Sequence, residues 1–570
     1  MSTKTTKLRW LLFSVPLIFL LLFYFYPLAK IVLLSFFKDG NFQLEKIDRL
    51  FSSPIYGRIL WFTIWQALLS TALTVVLAIP GAYVFAKFRF AGRNLLEALM
   101  VVPFVMPTVV TAAAFRALLG KNGLLNNWMV TLFDLPHPPI DIEQTVTFFL
   151  LAHVFYNYTL VVRIVSSYWS GIDSKVVGAA RMLGASPWTA FRTITLPLLM
   201  PAIGSAALLV FIFCFTSFGV ILILGGPGYA TLEVEIYRQA IQLFNLPMAA
   251  TLSLVQIGFN FMLMWLHAHL SKKSKVSFFS TPVDALQETT QSPGQKLFLS
   301  SNLLFMWALL VAPLLALLLR SFTGENGFTL SYYIALFSSQ STSVFFVEPI
   351  NAVKNSMGFA VAAMLISLIL GLLASNFIAK GGNKSSSLWD AIIMLPLATS
   401  AVTLGFGYII TLNKPPLNLR DSLAIIPIAH SLVAFPFVVR CILPSMRLIP
   451  KSLRETATLL GASPATVFRQ VDLPLIRRAL LVAAIFAFSI SMGEFGASAF
   501  VTRPHTPTMP VAIFRFLSQP GDMNYGQAMA MSTILMLVTC SSFLIFSRFE
   551  KRGTTGTIPA AKNGATSLFK

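Results

Sequence analysis

Cysteine is nearly missing from this chain: Cys214, Cys441 and Cys540 are the only three in 570 residues. An odd, widely spaced set in or beside apolar segments builds no disulfide framework and offers no metal-ligand spacing, so these read as packing residues. Acidic residues are also scarce, 21 against 42 Lys and Arg. No Gly-x4-Gly-Lys-Ser/Thr phosphate loop occurs, so ATP hydrolysis is not assigned to this chain. Neither a nucleophile–base pair nor paired carboxylates stand out, which argues against chemistry on a substrate.

What is present is mostly hydrocarbon. Hydrophobic residues make up 56% of the chain and charged ones 11%, and there are 51 phenylalanines. Uncharged runs such as 10–29, 67–86, 479–492 and 528–546 approach the length that crosses a bilayer, so the chain is a polytopic membrane protein. The first run keeps its aromatics to the end and lacks a small-residue cleavage site, which reads as a retained helix. Twelve spans are expected, near 10–33, 61–86, 98–119, 146–168, 198–224, 248–270, 299–319, 356–379, 389–411, 424–444, 479–501 and 525–547. With a cytoplasmic N-terminus, most Lys and Arg fall in cytoplasmic segments. The net charge of +21 is then a topology signal, not a nucleic-acid footprint.

The chain is also a tandem duplication. An offset of 277 relates His153 to His430, Arg163 to Arg440, Phe218-Gly219 to Phe495-Gly496 and Arg238 to Arg515. Upstream the offset becomes 293, where Ala86-Lys87 matches Ala379-Lys380 and Pro103 matches Pro396. Six spans per half return the chain to its starting side, so the halves form parallel repeats. Four segments are expected: a first half at 1–275, a polar cytoplasmic linker at 276–297, a second half at 298–550 and a cytoplasmic tail at 551–570.

The most polar duplicated element is the loop at 172–197, repeated at 449–474. In each copy a helix runs to Leu183 or Leu460, and Gly184 or Gly461 supplies the left-handed stop. Ser186 or Ser463 then caps a second helix with Pro187 or Pro464 at its first position. That short helix is expected to lie across the cytosolic face and to expose Phe191-Arg192 or Phe468-Arg469. Pro197 and Pro474 fit the first turn of the next span.

Glu455-Thr456-Ala457, Gly461, Val471 and Leu473-Pro474 resemble the EAA loop of binding-protein-dependent ABC importer permeases. Ala179-Ala180, Gly184, Ile194 and Leu196-Pro197 keep the same spacing, but the acidic position is Gly178 in the first half. The resemblance implies an all-α fold of the type I importer kind, with about twelve transmembrane helices in two tandem six-helix halves. It also implies a bacterial inner-membrane location with both termini cytoplasmic. The coupling residues it implies in the first half are Ala180, Leu183, Gly184, Ala185, Ser186, Pro187, Phe191 and Arg192. Their counterparts in the second are Glu455, Ala457, Leu460, Gly461, Ala462, Ser463, Pro464, Phe468 and Arg469. The partners implied are two copies of an ATPase, which carry the ATP and Mg, an extracytoplasmic solute-binding protein and membrane lipid. This chain itself needs no cofactor or metal. Fused halves of this length resemble the thiamine and ferric-iron permeases, and Phe215–Gly219 with Thr231–Tyr237 leans toward thiamine.

Ser217, Phe218, Glu494 and Phe495 are the candidate pathway or gate residues. Glu494 is the sharpest charge, expected near the middle of the eleventh span, where a carboxylate needs a partner or water. Its repeat equivalent, Ser217, is neutral. His153 and His430 each stand alone in apolar surroundings and read as packed residues with one hydrogen bond. The segments 120–144, 225–245 and 502–524 are candidate docking loops for a binding protein. The rival reading is an ion-coupled carrier, which would want ionisable residues in the spans of both halves.

Overall fold

A computed structural model describes residues 3–38, 41–42, 48, 50, 52–274, 292–324, 327–338, 347–381, 383–413, 415 and 417–554. Most of the expected linker and residues 555–570 of the expected tail lie outside them. Residues 293–297, assigned above to the linker, instead open the helix Pro293–Leu310, started by a Ser292/Gln295 capping box.

Among the described residues nine helices are long and apolar enough to cross a membrane, or ten if one bent pair counts as a single span. The count falls short of twelve because the third and ninth expected spans are broken and the helix holding the twelfth is not among the nine; the fifth and eleventh are counted although each ends in a break. The third divides into Arg93–Val105 and Thr108–Leu119 at Met106-Pro107. The ninth bends by 89° between Ser386–Ala398 and Ala401–Thr411. The fifth helix stops at Phe215 and the eleventh at Gly493, each followed by a short separate helix. The expected twelfth lies inside the helix Asp522–Thr554. The strands described are two small antiparallel hairpins, Phe37–Lys38 with Asn41–Phe42 and Thr323–Gly324 with Gly327–Phe328.

Lipid is as apolar as leucine, so helices in a membrane associate through close packing and polar contacts rather than the hydrophobic effect. The helix Ile350–Ala379 accordingly buries Ser356, Ala360, Ala363, Ser367, Gly371 and Ala374. A methyl group at Gly371 would collide with Val438 of the helix Ile425–Arg447.

The first span of each half packs on the other half. From Trp10–Phe36, Phe13 stacks on Phe377 at 4.0 Å and meets Trp389 edge-on. Tyr24 Oη donates to the Leu395 carbonyl at 3.1 Å and bonds the Thr399 hydroxyl at 2.8 Å. Reciprocally, Phe298 and Phe305 meet Tyr83 and Tyr158 of the first half. The two halves are thereby interlocked.

Candidate functional site

The two repeated loops have the same backbone. Gly184 and Gly461 have φ values of +91° and +85°, a region that costs L-residues with a side chain about 1–2 kcal/mol. Ala185 N–H donates to the Ala180 carbonyl and Gly184 N–H to that of Arg181, which is the double bond of a Schellman stop. Ala462 to Ala457 and Gly461 to Thr458 repeat it. Ser186 Oγ then accepts from Thr189 N–H at 3.1 Å, and Ser463 Oγ from Thr466 N–H at 3.2 Å, with Pro187 and Pro464 at the helix start.

Beyond the cap the structure departs from expectation. The second helix is not a separate rod but runs into the next span, as Pro187–Phe215 and Pro464–Gly493. The join is a π-helical turn in both copies, Phe191–Thr195 and Phe468–Asp472. This wide turn comes just before Pro197 and Pro474, which lack the N–H that a regular helix would use there.

Phe191 and Phe468 do not project outward. Phe191 is half-buried and stacks against Trp169 and Trp188, while Phe468 packs on the core around Val438 and Ile442. Arg192 and Arg469 are exposed. The exposed apolar groups are instead Met182, Leu183 and Trp188 in one copy, and Leu459 and Leu460 in the other. Met182 and Leu183 are each 89% exposed, Leu459 87% and Leu460 83%. Glu455 is exposed, and Gly178 has open space where its side chain would be.

The helices leading from the loops end about 43–45 Å away, given 29 and 30 residues at about 1.5 Å each. There the broken spans of both halves converge. Phe218 and Phe495, repeat equivalents, stack at 5.3 Å with planes 22° apart. Tyr237 covers Phe218 and Phe514 covers Phe495, both at 5.5 Å. Gly219 leaves little room for a side chain, because a Cβ would fall 2.5 Å from Thr108 Oγ1 and 3.0 Å from Phe495. Gly493 lies against Pro107, and Gly496 against Ala401. One aromatic layer thus fills the junction of four helix breaks.

Glu494 sits at one of these breaks, not in mid-span. Its carboxylate accepts from Ala497 N–H at 2.8 Å, Ser498 N–H at 3.0 Å and Ser498 Oγ at 3.0 Å, and His430 Nε2 is 3.4 Å away. Ser217 bonds His153 Nε2 at 2.9 Å. Neither histidine is isolated. His153 Nδ1 also meets Ser70 Oγ at 2.8 Å, and His430 bonds Ser491 and Ser498 at 2.7 and 2.8 Å. His153 ties the break at Ser217 to Ser70 of the helix Pro54–Lys87, and His430 bridges the two sides of the break after Gly493.

A cap of this kind predicts a graded response. Glu494→Ala leaves two buried amides unpaired, at about 1–3 kcal/mol each. Glu494→Gln keeps a carbonyl acceptor and should lose less than half as much. Thermal unfolding of the purified variants in detergent measures the difference; equal losses for both would refute a capping role.

Beyond the aromatic layer, away from the loops, lies a cavity of about 410 Å³. Tyr237 and Phe514 line it, joined by Arg116, Glu143, Gln144 and Arg238. Arg116 lies 3.8 Å from Glu143 and donates to the Leu517 carbonyl at 3.3 Å. The three expected docking loops meet around this cavity and contain the helices Leu124–Phe133, Leu232–Tyr237 and Met509–Leu517.

Several participants were not singled out from sequence. Tyr237 and Phe514 are repeat equivalents, so the 277-residue offset could have found them. Glu233 is fully buried and accepts from Ser400 Oγ at 2.6 Å and Gln256 Nε2 at 3.0 Å, linking the first half to the break in the ninth span. Its signal was the pair of carboxylates Glu233 and Glu235 in the otherwise apolar stretch 232–237.

The profile of the family described as binding-protein-dependent transport system inner membrane component matches the chain twice, at 75–276 and 367–554. The thiamine transport system permease protein ThiP of Brucella abortus (strain 2308) is 26% identical over 498 residues, covering 86% of this chain and 87% of that one. Its namesake in Escherichia coli K12 is 26% identical over 506 residues, covering 86% and 88%. A probable ABC transporter permease, y4fN of Sinorhizobium fredii, is 23% identical over 562 residues, covering 95% and 96%. Among solved structures, a chain of a bacterial ABC transporter involved in import of the acidic polysaccharide alginate aligns with a TM-score of 0.40. It is 19% identical and covers 47% of this chain and 98% of that chain.

Proposed function

Because the chain belongs to the family of binding-protein-dependent transport system inner membrane components, a multi-pass permease of ABC importers, we propose that it carries thiamine inward by alternating access. The two halves, 1–275 and 298–550, are the moving parts. Two copies of a separate ATPase engage the loops 172–197 and 449–474 on the cytoplasmic side, where both termini also lie. A thiamine-loaded binding protein docks at the opposite end, over the cavity.

One observation carries this reading. Two equivalent loops with exposed apolar tips are joined by uninterrupted helices to the two sides of a single aromatic closure. Closure of the ATPase pair on ATP moves both tips, and the helices carry that motion to Phe218 and Phe495. The Phe pair then parts, and solute passes from the cavity between the halves. Ser217 and Glu494 act indirectly, by holding the breaks that aim the two phenyl rings. The choice of thiamine is supported by the relatives named for thiamine transport.

The test is uptake into proteoliposomes that hold the chain, its ATPase and its binding protein. Labelled thiamine is expected to accumulate only with ATP inside the ATPase compartment and with the binding protein opposite. Accumulation driven by an ion gradient, with no ATPase present, would favour the ion-coupled carrier instead. ATP-driven uptake of ferric iron but not thiamine would overturn the solute.

A further inference from the structure

The two loops share a backbone but are fastened to their halves by different chemistry. In the second half Asp472 lies within the π-helical turn and is only 1% exposed. Arg454 Nε sits 2.7 Å from Asp472 Oδ1, and Lys380 Nζ 3.3 Å from Oδ2. Arg454 also donates to the Met446 carbonyl at 3.5 Å. Arg454 belongs to the helix Lys451–Leu459, whose exposed end precedes the Gly461 turn. Lys380 closes the helix Ile350–Ala379. One carboxylate therefore joins the loop's entry helix, its exit turn and the end of a neighbouring span.

The first half has no such triad. Lys87 matches Lys380, but Val177 stands for Arg454 and Thr195 for Asp472. In its place Trp169, Phe191 and Trp188 form a stack, where the second half has Met446, Phe468 and Ala465.

We propose that Asp472 is a positioning residue that makes the second loop one rigid body with the helix Ile350–Ala379, so that the two halves transmit the ATPase stroke through unlike joints. The argument is about geometry rather than net stability. A buried ion pair gains little over apolar packing, yet breaking it by removing one partner is costly. Such a joint resists partial opening. Stacked rings leave no unpaired charge when they part, and their pairing contributes only about 0.5–1.5 kcal/mol beyond burial. The helix Ile350–Ala379 packs along both Ile425–Arg447 and Leu473–Gly493, so motion at Leu459 and Leu460 reaches the whole second half at once. The stroke itself rests on the function proposed above; the joint does not.

Hydrogen exchange of the full chain in nanodiscs tests the joint without any partner or solute. Asp472→Asn is expected to speed exchange across 451–474 by about tenfold, as loss of a buried charge partner frees local opening. The loop at 174–197 should be unchanged, and Asp472→Glu should restore part of the protection. Unaltered exchange at 451–474, or equal acceleration of both loops, would overturn the joint. In the complete transporter, thiamine taken up per ATP hydrolysed should fall about fivefold in Asp472→Asn and recover in Asp472→Glu. An unchanged ratio in a loosened loop would overturn its part in transmission. Failure of the unaltered chain to take up thiamine with ATP would refute the proposed function and leave the exchange result to decide the joint.

Discussion

Gly461→Pro is expected to abolish ATP-driven uptake, with a drop of two orders of magnitude or more. The residue holds φ at +85°, whereas proline is confined near −65°. Its N–H also donates to the Thr458 carbonyl, a bond that proline cannot make. Together these cost about 3–4 kcal/mol at the turn, a factor of roughly 10²–10³ in the population of the native loop. Gly461→Ala meets open space and carries only the left-handed cost of about 1–2 kcal/mol, so it should lose uptake about thirtyfold at most. The pair of substitutions separates backbone geometry from side-chain bulk. Uptake and ATP hydrolysis measured in the same proteoliposomes check the result. Hydrolysis should persist or rise while uptake fails, and full uptake by Gly461→Pro would end the coupling assignment. Deleting residues 185–191 should act as strongly, because it removes the Ser186 cap and the Phe191 stack together.

The turn was legible in sequence because its causes are local. A glycine after a helical run, then Ser-Pro, specifies a left-handed stop and a cap within four residues, and the structure has both bonds of each copy. Hydropathy was blind to the breaks. Residues 215–224 and 492–501 remain largely apolar because the breaks are buried inside the protein, where the chain stays apolar whether or not it is helical. The one local trace was polar: Thr216-Ser217 before Gly219, and Glu494 before Gly496. Reading Glu494 as an intramembrane charge found the right residue and assigned it the wrong setting. Its partners are amides three and four residues on, which exist only if the helix stops. The histidines failed differently. Ser70 lies 83 residues from His153, and Ser491 lies 61 from His430, so their bonds depend on tertiary packing. Exchange of the first spans is equally nonlocal, since any long apolar helix is satisfied by lipid and nothing in its own composition names its neighbour. The inward turn of Phe191 follows from helix continuity through the π turn, where a separate short helix was expected before a span opening at Pro197.

Phe495→Ala should convert a coupled transporter into a leaking one. The Phe218–Phe495 stack is the contact by which equivalent breaks of the two halves meet, and it is buried under Tyr237 and Phe514. Removing one ring forfeits the aromatic pairing, about 0.5–1.5 kcal/mol, and leaves a cavity whose full cost in a packed core is about 3–5 kcal/mol. Much of that penalty falls on the closed arrangement, because rings that part during transport are not packed against each other in the open one. The closed state is therefore destabilised relative to the open state, by an amount that shifts their ratio about tenfold for each 1.4 kcal/mol. Two measurable consequences follow. ATP hydrolysis without binding protein should rise severalfold, and preloaded thiamine should escape from proteoliposomes without ATP. Phe218→Ala should act alike, since the stack has two members, and the double variant should add little because either change already removes the contact. Leu at position 495 should retain most of the seal by filling the space. If Phe495→Ala lowers uptake with no leak and no rise in basal hydrolysis, the aromatic layer is packing alone and the closure of the pathway lies elsewhere in the chain.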